Sequence, residues 1–334
     1  MIERLWFGQT LLSKLWAWAM FPLSQVFGLV SRRRRQSYQS GKKTPYRPPV
    51  PIVVVGNITA GGNGKTPVVI ALVEALQQQG FCVGVVSRGY GGKSTSYPLL
   101  VQKSTSSLEC GDEPKLIHER TKAHVAVAPK RAEAVKALLP LGVQVIITDD
   151  GLQHYALARD IELIVVDGQR RFGNGLLIPA GPMRESLSRL DDVDFVIANG
   201  AAEHGELAMT LEPGKAVNLV TGEQKPVDEL PPLCAFAGIG HPPRFFSTLR
   251  EQGAKLVASH GFADHKAYTE QDIIALENDA STLIMTEKDA VKCLSFAREN
   301  WWYLPVTARF CASDHQKVML KIQEVIKEYG PPLT

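Results

Sequence analysis

Acidic side chains are almost missing from the first fifty positions. Glu3 stands alone there against nine cations: Arg4, Lys14, the run Arg32–Arg35, Lys42, Lys43 and Arg47. That stretch therefore carries +8 and leaves −5 on the remainder, although the whole chain of 334 residues is only +3. A basic leader on a mildly acidic body points to an anionic surface met by the N-terminal segment and excludes a nucleic-acid-binding body. Cysteine is also scarce. Cys82, Cys110, Cys234, Cys293 and Cys311 form no C-x-x-C pair, which excludes a disulfide scaffold or zinc ribbon and fits a reducing compartment. No internal repeat or low-complexity tract is present. With 45% hydrophobic and 21% charged residues, a disordered or collagenous chain is excluded as well.

An uninterrupted apolar span is the last thing missing. Leu11 to Val30 is rich in Trp and Phe, but Lys14 interrupts it, Pro22 is expected to break it, and Ser24 and Gln25 are polar. A spanning helix needs about 20 predominantly apolar residues. The arginines follow the apolar stretch, where a secretory signal would carry its charges ahead of it. The expectation is an interfacial helix or broken helical hairpin, with Arg32–Arg35 on anionic lipid.

After the Pro-rich connector Lys42–Pro51, short apolar runs alternate with helix-like stretches. Ile52–Val55, Cys82–Val86, His124–Ala128, Val143–Thr148, Glu162–Val166 and Asp194–Ala198 read as buried strands, and Lys65–Gln79 and Arg131–Leu139 as helices. The pattern restarts near Val217–Glu223, with strands at Leu233–Gly238, Leu256–Ser259, Thr282–Met285 and Trp302–Val306. Helices are expected at Pro243–Gln252 and Thr269–Asn278. The fold expected is α/β: a P-loop NTPase-like parallel sheet covered on both faces, a second, smaller α/β/α domain, and an N-terminal membrane-associated helix. The boundaries are 1–35 for the helical segment, 50–215 for the P-loop core and 222–334 for the C-terminal domain.

The chemistry starts at Gly56-Asn57-Ile58-Thr59-Ala60-Gly61-Gly62-Asn63-Gly64-Lys65-Thr66-Pro67. A glycine-rich loop after a buried strand, opening a helix, converges backbone N–H groups on phosphate. Residues Thr59 to Thr66 are the nucleotide-binding loop. Lys65 is placed for the terminal phosphates, and the Thr66 hydroxyl for Mg²⁺. The first glycine of the usual pattern is Thr59. A buried strand, Val145–Thr148, ends in Asp149-Asp150 and runs on as Gly151-Leu152-Gln153-His154, the acidic partner such a loop needs to hold magnesium and its water. One or both carboxylates are metal-linked in this reading. Further polar strings sit at strand ends: Arg88 in SRGYGG, Asp112 and Glu113 on a GDEP loop, Arg184 in PAGPMRE, His265 in FADHK, and TEKDA from Thr286. Each of these alone is also what a capped turn contains.

Taken in order with the Trp-rich leader, these strings, together with AGIGHPPRFF, FADHKAY and MTEKDAVK, resemble the tetraacyldisaccharide 4′-kinases, the lipid A 4′-kinases of Gram-negative bacteria. The resemblance runs end to end, and that family's Thr or Ser at the first loop position accounts for Thr59. It implies transfer of the γ-phosphoryl of ATP, with Mg²⁺, to the 4′-hydroxyl of an acylated glucosamine disaccharide 1-phosphate. The reaction would run at the cytoplasmic face of the inner membrane, on anionic lipids, with no obligate protein partner and no nucleic acid. It also implies two α/β/α units joined by a two-stranded linker, with the site in the cleft between them. Asp112 would then be the general base, paired with His265, in a set that includes Lys65, Asp149 and Asp150. Arg88, Glu113, His154 and Arg184 are candidates for acceptor contact.

Two other readings compete. A membrane-associated nucleotide-switch ATPase or GTPase would carry a lysine at the start of its loop, where this chain has Ala60, and no clear N-K-x-D string appears. A membrane scaffold without activity has no need of the loop, DDGLQH and Asp112 together.

Overall fold

The computed structural model describes residues 2–8 and 10–330. Met1 and Gln9 of the expected leader, and residues 331–334 of the expected second domain, lie outside them. Two sheets organise the chain. The larger runs in the order Val306–Phe310, Leu207–Pro213, Phe195–Asn199, Ile161–Asp167, Ile52–Gly56, Val145–Thr148, Val83–Ser87, His124–Val127 and Leu99–Leu100. Its interior strands are parallel, and one antiparallel strand closes either edge.

Ile52–Gly56 is buried along its whole length because both faces of the sheet are covered. Alternation sends Ile52 and Val54 into one core and Val53 and Val55 into the other. Such β-branched runs lose less in a pleated, doubly covered sheet than anywhere else. Helix Lys65–Gln78 seals one face through Val69, Leu72, Val73 and Leu76.

The smaller sheet, ordered Gln224–Lys225, Ala216–Asn218, Trp301–Leu304, Thr282–Thr286, Leu233–Ala237 and Leu256–Gly261, is likewise packed on two faces. Here the expected boundary is corrected. The unit does not run from 222 to the end, because Val306–Phe310 pairs antiparallel with Leu207–Pro213 of the larger sheet. Helix Ala312–Tyr329 then buries Val318, Met319, Ile322 and Val325 in the larger core. Pro305 is the cause. It divides the apolar run that reads as one strand, Trp302–Val306, sending Trp301–Leu304 to one sheet and Val306 onward to the other. Gly214 N–H donates to the Pro305 carbonyl at 2.9 Å, so the chain enters and leaves the smaller unit side by side. The two units also touch at helices Asp112–Thr121 and Glu287–Cys293. There Arg120 donates to both Glu287 carboxylate oxygens, at 2.9 and 3.0 Å, and to Thr307.

The leader folds as helix Ile2–Phe7 and a 29-residue helix, Leu11–Gln39, capped by Thr10. Pro22 does not break it, contrary to expectation. Pro22 and Trp18, whose carbonyl loses its donor, both lie on the exposed side, where solvent or a headgroup can serve that carbonyl. The helix rests on the body through its small residues. Gly28 lets it approach Leu177 so closely that a Cβ would stand 2.6 Å from that side chain. The indoles of Trp6 and Trp16 both donate to the Pro179 carbonyl, at 2.9 and 3.1 Å. The apolar residues face away from the protein, with Leu11 75% and Trp18 81% exposed. No helix among the described residues is long and apolar enough to cross a membrane.

Candidate active site

Strand Ile52–Gly56 delivers its loop to the start of helix Lys65–Gln78, so the helix N-terminus and its free N–H groups face the loop's hollow. Gly64 sits at φ 93° as the cap, and a Cβ there would stand 2.9 Å from Asn199 Nδ2. Glycine is required twice over. Thr59, the departure from the usual pattern, is buried and accepts from Asn63 Nδ2 at 2.9 Å. Its hydroxyl braces the loop from within. The segment around Arg184 clamps the loop from outside: Ala60 N–H donates to Pro182 and Arg184 N–H to Ile58. A cavity of about 850 Å³ opens beside it, lined by Gly62, Gly64, Asn199 and Arg244 together with Trp6 and Lys14 of the leader.

Asp149 and Asp150 follow the neighbouring strand, as expected, and differ sharply. Asp150, at φ 50°, is held by Arg184 Nη1 at 2.9 and 3.0 Å and lies 3.6 Å from Lys65 Nζ. Burial opposes its charge, but the Lys65 and Arg184 cations outweigh that and hold it well below the usual carboxylate range. Asp149 is 1% exposed, and neither of its carboxylate oxygens has a partner. Burial pushes its carboxyl up to about 7, with Glu113 adding to the shift. A buried carboxylate without hydrogen bonds is expensive, and a divalent cation is the partner that would relieve it.

Across the cleft stands Asp112. The sequence places it on a loop; in the structure it opens helix Asp112–Thr121, with Glu113 beside it. Pro114 sits in the first turn of that helix, where its missing N–H is not needed. Both Asp112 oxygens lie 3.1 Å from Nδ1 of His265, which comes from the smaller unit. His265 holds a left-handed backbone, φ 59°, and its ring packs edge-on to Tyr90 of SRGYGG. Burial pushes Asp112 up, but the His265 bond and the Lys288 and Lys292 ammoniums outweigh it and leave the carboxyl low. His265 is raised, chiefly by its bond to Asp112. A second cavity of about 330 Å³, lined by Tyr90, Asp112, His265, Lys292, Val291 and Phe296, opens on this pair.

The other expected residues divide. Glu113 accepts from Lys288 at 3.2 Å, and Arg184 serves Asp150. His154 belongs to a separate cluster: its pKa is lowered to about 4, first by burial and then by Arg131, Arg34, Arg159 and Arg88. Arg131 is absent from the sequence expectations. It is buried, donates to the carbonyls of Asp149 and Asp150, and leaves Nε without a partner. Its only sequence signal is a basic Lys130-Arg131 pair opening a helix. Arg35 is not free for lipid, since it pairs with Asp192. Arg32, Arg33 and Arg34 are exposed.

The family model for tetraacyldisaccharide-1-P 4′-kinase matches residues 16–327. Proteins named tetraacyldisaccharide 4′-kinase are 60% identical over 333 residues in Vibrio cholerae serotype O1 and 59% identical over 331 in Aliivibrio salmonicida, each match spanning 99% of both chains. The crystal structure of LpxK from Aquifex aeolicus in complex with ATP superposes with a TM-score of 0.77 at 26% identity. It covers 93% of this chain and 99% of its own.

Proposed function

This chain belongs to the tetraacyldisaccharide-1-P 4′-kinase family, and on that premise we propose how its residues divide the work. The enzyme transfers the γ-phosphoryl of ATP to the 4′-hydroxyl of a tetraacyldisaccharide 1-phosphate in lipid A biosynthesis. The observation that carries the division of labour is the Asp112–His265 pair, a buried, ionised carboxylate gripped from the opposite unit.

Asp112 accepts the proton of the acceptor 4′-hydroxyl as that oxygen attacks the γ-phosphorus and the bond to the β-phosphate oxygen breaks, releasing ADP. His265 orients the carboxylate through its ring nitrogen Nδ1. Residues Thr59 to Thr66 cradle the phosphates, and Lys65 neutralises charge on the transferring phosphoryl. Arg184 pins Asp150, which in turn helps hold the Lys65 ammonium at the loop. Asp149 and Thr66 would hold Mg²⁺, which when bound would offset negative charge on the phosphates of ATP. The cluster of Arg34, Arg88 and Arg131 around His154 offers positive charge for an anionic acceptor, and His154 stays neutral within it. Drawing both units around the substrates excludes water that would otherwise hydrolyse ATP.

The leader supports a peripheral place on the cytoplasmic face of the inner membrane. Its outward face is apolar and is followed by three exposed arginines, two signals that act together on an anionic bilayer. ATP consumption with and without lipid disaccharide 1-phosphate tests the reading. Strong acceptor dependence, abolished in Asp112→Asn, is expected; acceptor-independent turnover raised by a protein partner would favour the nucleotide switch instead.

A further inference from the structure

Helix Glu287–Cys293 starts from a Thr286 cap and carries Lys288 and Lys292 four residues apart, hence on one face. That face meets the opening turn of helix Asp112–Thr121. Lys292 is built in: its Nζ lies 2.8 Å from Asp289 Oδ1, 3.9 Å from Asp112 Oδ2 and 4.9 Å from the centre of the Tyr268 ring. Asp289 in turn accepts from Thr286 Oγ, Tyr268 Oη and Gly238 N–H. Lys288 touches both members of the pair. Its Nζ donates to Glu113 at 3.2 Å and to Asp264 at 3.3 Å, stands 3.8 Å from Asp112 Oδ2, and lies 3.5 Å from His265 Nε2.

An ammonium has donors only. In the neutral ring the His265 nitrogen that faces Lys288 is then the acceptor, and the proton sits on Nδ1, facing Asp112. Asp264 Oδ2, 3.8 Å from the same Nε2, would favour the opposite tautomer, but Lys288 already neutralises it. Given the role assigned above to Asp112 and His265, we infer that Lys288 is a positioning residue for phosphoryl transfer, fixing the neutral Nδ1–H form of His265 against Asp112 while Lys292 supplies a second fixed charge to that carboxylate. Without Lys288, His265 would hold its proton to higher pH, because the ammonium opposes an imidazolium beside it. An imidazolium facing Asp112 would leave that carboxylate a poorer proton acceptor.

The measurement is the pH dependence of kcat for wild type, Lys288→Met, Lys288→Arg and Asp112→Asn, with ¹⁵N-histidine spectra of the full chain. Wild type should show His265 protonated on Nδ1 alone above its pKa. Lys288→Met should move the acid limb of kcat to higher pH by about one unit, with about 10-fold lower kcat at pH 7, and Lys288→Arg should restore the limb. Loss of activity at an unchanged limb would mean a merely structural lysine and overturn the inference, as would Nε2–H as the wild-type tautomer. The spectrum of wild type decides even if Lys288→Met does not fold. An active Asp112→Asn enzyme would instead overturn the base assignment; an inactive one beside an unshifted Lys288→Met profile overturns this inference alone.

Discussion

Asp149→Asn should make the metal-free protein more stable while destroying its activity. The carboxyl is fully buried, both oxygens lack partners, and burial raises it from an ordinary 3.8 to about 7. A folded-state value above the unfolded one means full stability below pH 3.8, lost progressively as pH rises through 7. At about 1.4 kcal/mol per unit, the ionised group costs about 4 kcal/mol at pH 8. The amide removes that cost but leaves its own buried dipole without a partner, about 2 kcal/mol in the other direction. The net gain is about 2 kcal/mol, or roughly 3 °C for a chain of this length. Thermal unfolding in chelator at pH 5 and pH 8 reads it: wild type should lose stability between the two, and Asp149→Asn should lose much less. Mg²⁺ should then raise the melting temperature of wild type at pH 8 and leave Asp149→Asn unmoved, with kcat down about 10²-fold or more. A mutant less stable than wild type at pH 8 in chelator would refute the argument, and an undiminished Mg²⁺ shift would remove Asp149 from the metal site.

Lys65→Ala should lower kcat about 10²-fold or more while the protein stays folded; near-normal turnover would remove this lysine from phosphate contact. Asp112→Asn and His265→Ala should each cost about 10²–10⁴-fold and 10-fold or more in kcat respectively, and the double mutant much less than their product. Fully multiplicative losses would mean the two do not act as a pair. Binding to anionic vesicles should weaken with salt, and replacing Arg32, Arg33 and Arg34 by Gln should cost about 1 kcal/mol each. Arg35→Gln should change vesicle binding little, because Asp192 already occupies that arginine.

Where the sequence is a good guide, one local rule acts alone. Ile52–Val55 and Val145–Thr148 are doubly buried and β-branched, so period and composition agree, and both appear as strands with the loop and the two acids at their ends. Leu207–Pro213 goes unread because it buries only alternate residues near an edge. Its partner, Val306–Phe310, is masked by continuity with the preceding strand. Pro22 reads as a break, yet its exposed side leaves the freed carbonyl open to solvent and makes proline harmless there. The expected residues of the loop, the acidic pair and the Asp112–His265 pair come together. Arg131 was missed, and the MTEKDAVK string gives no role to Lys288 or Lys292, because such roles depend on which helix faces which carboxylate, and no spacing along the chain encodes that.

The meeting of Gly214 with Pro305 sets an order on biosynthesis. Everything between them can close on itself as soon as it leaves the ribosome, since the two ends of that segment already lie together. The larger unit cannot, because it waits for Val306–Phe310 and for Val318, Met319 and Ile322 to complete its edge and core. From the emergence of Leu207 to that of Tyr329 is roughly 120 residues, or about 6–25 s at ordinary translation rates. Near the end of that interval, once Leu304 has emerged, the nascent chain holds a finished inner unit and an unfinished outer one. A ribosome stalled before Val306 emerges would thus hold a chain whose nucleotide loop is in place but whose larger sheet still has an open edge.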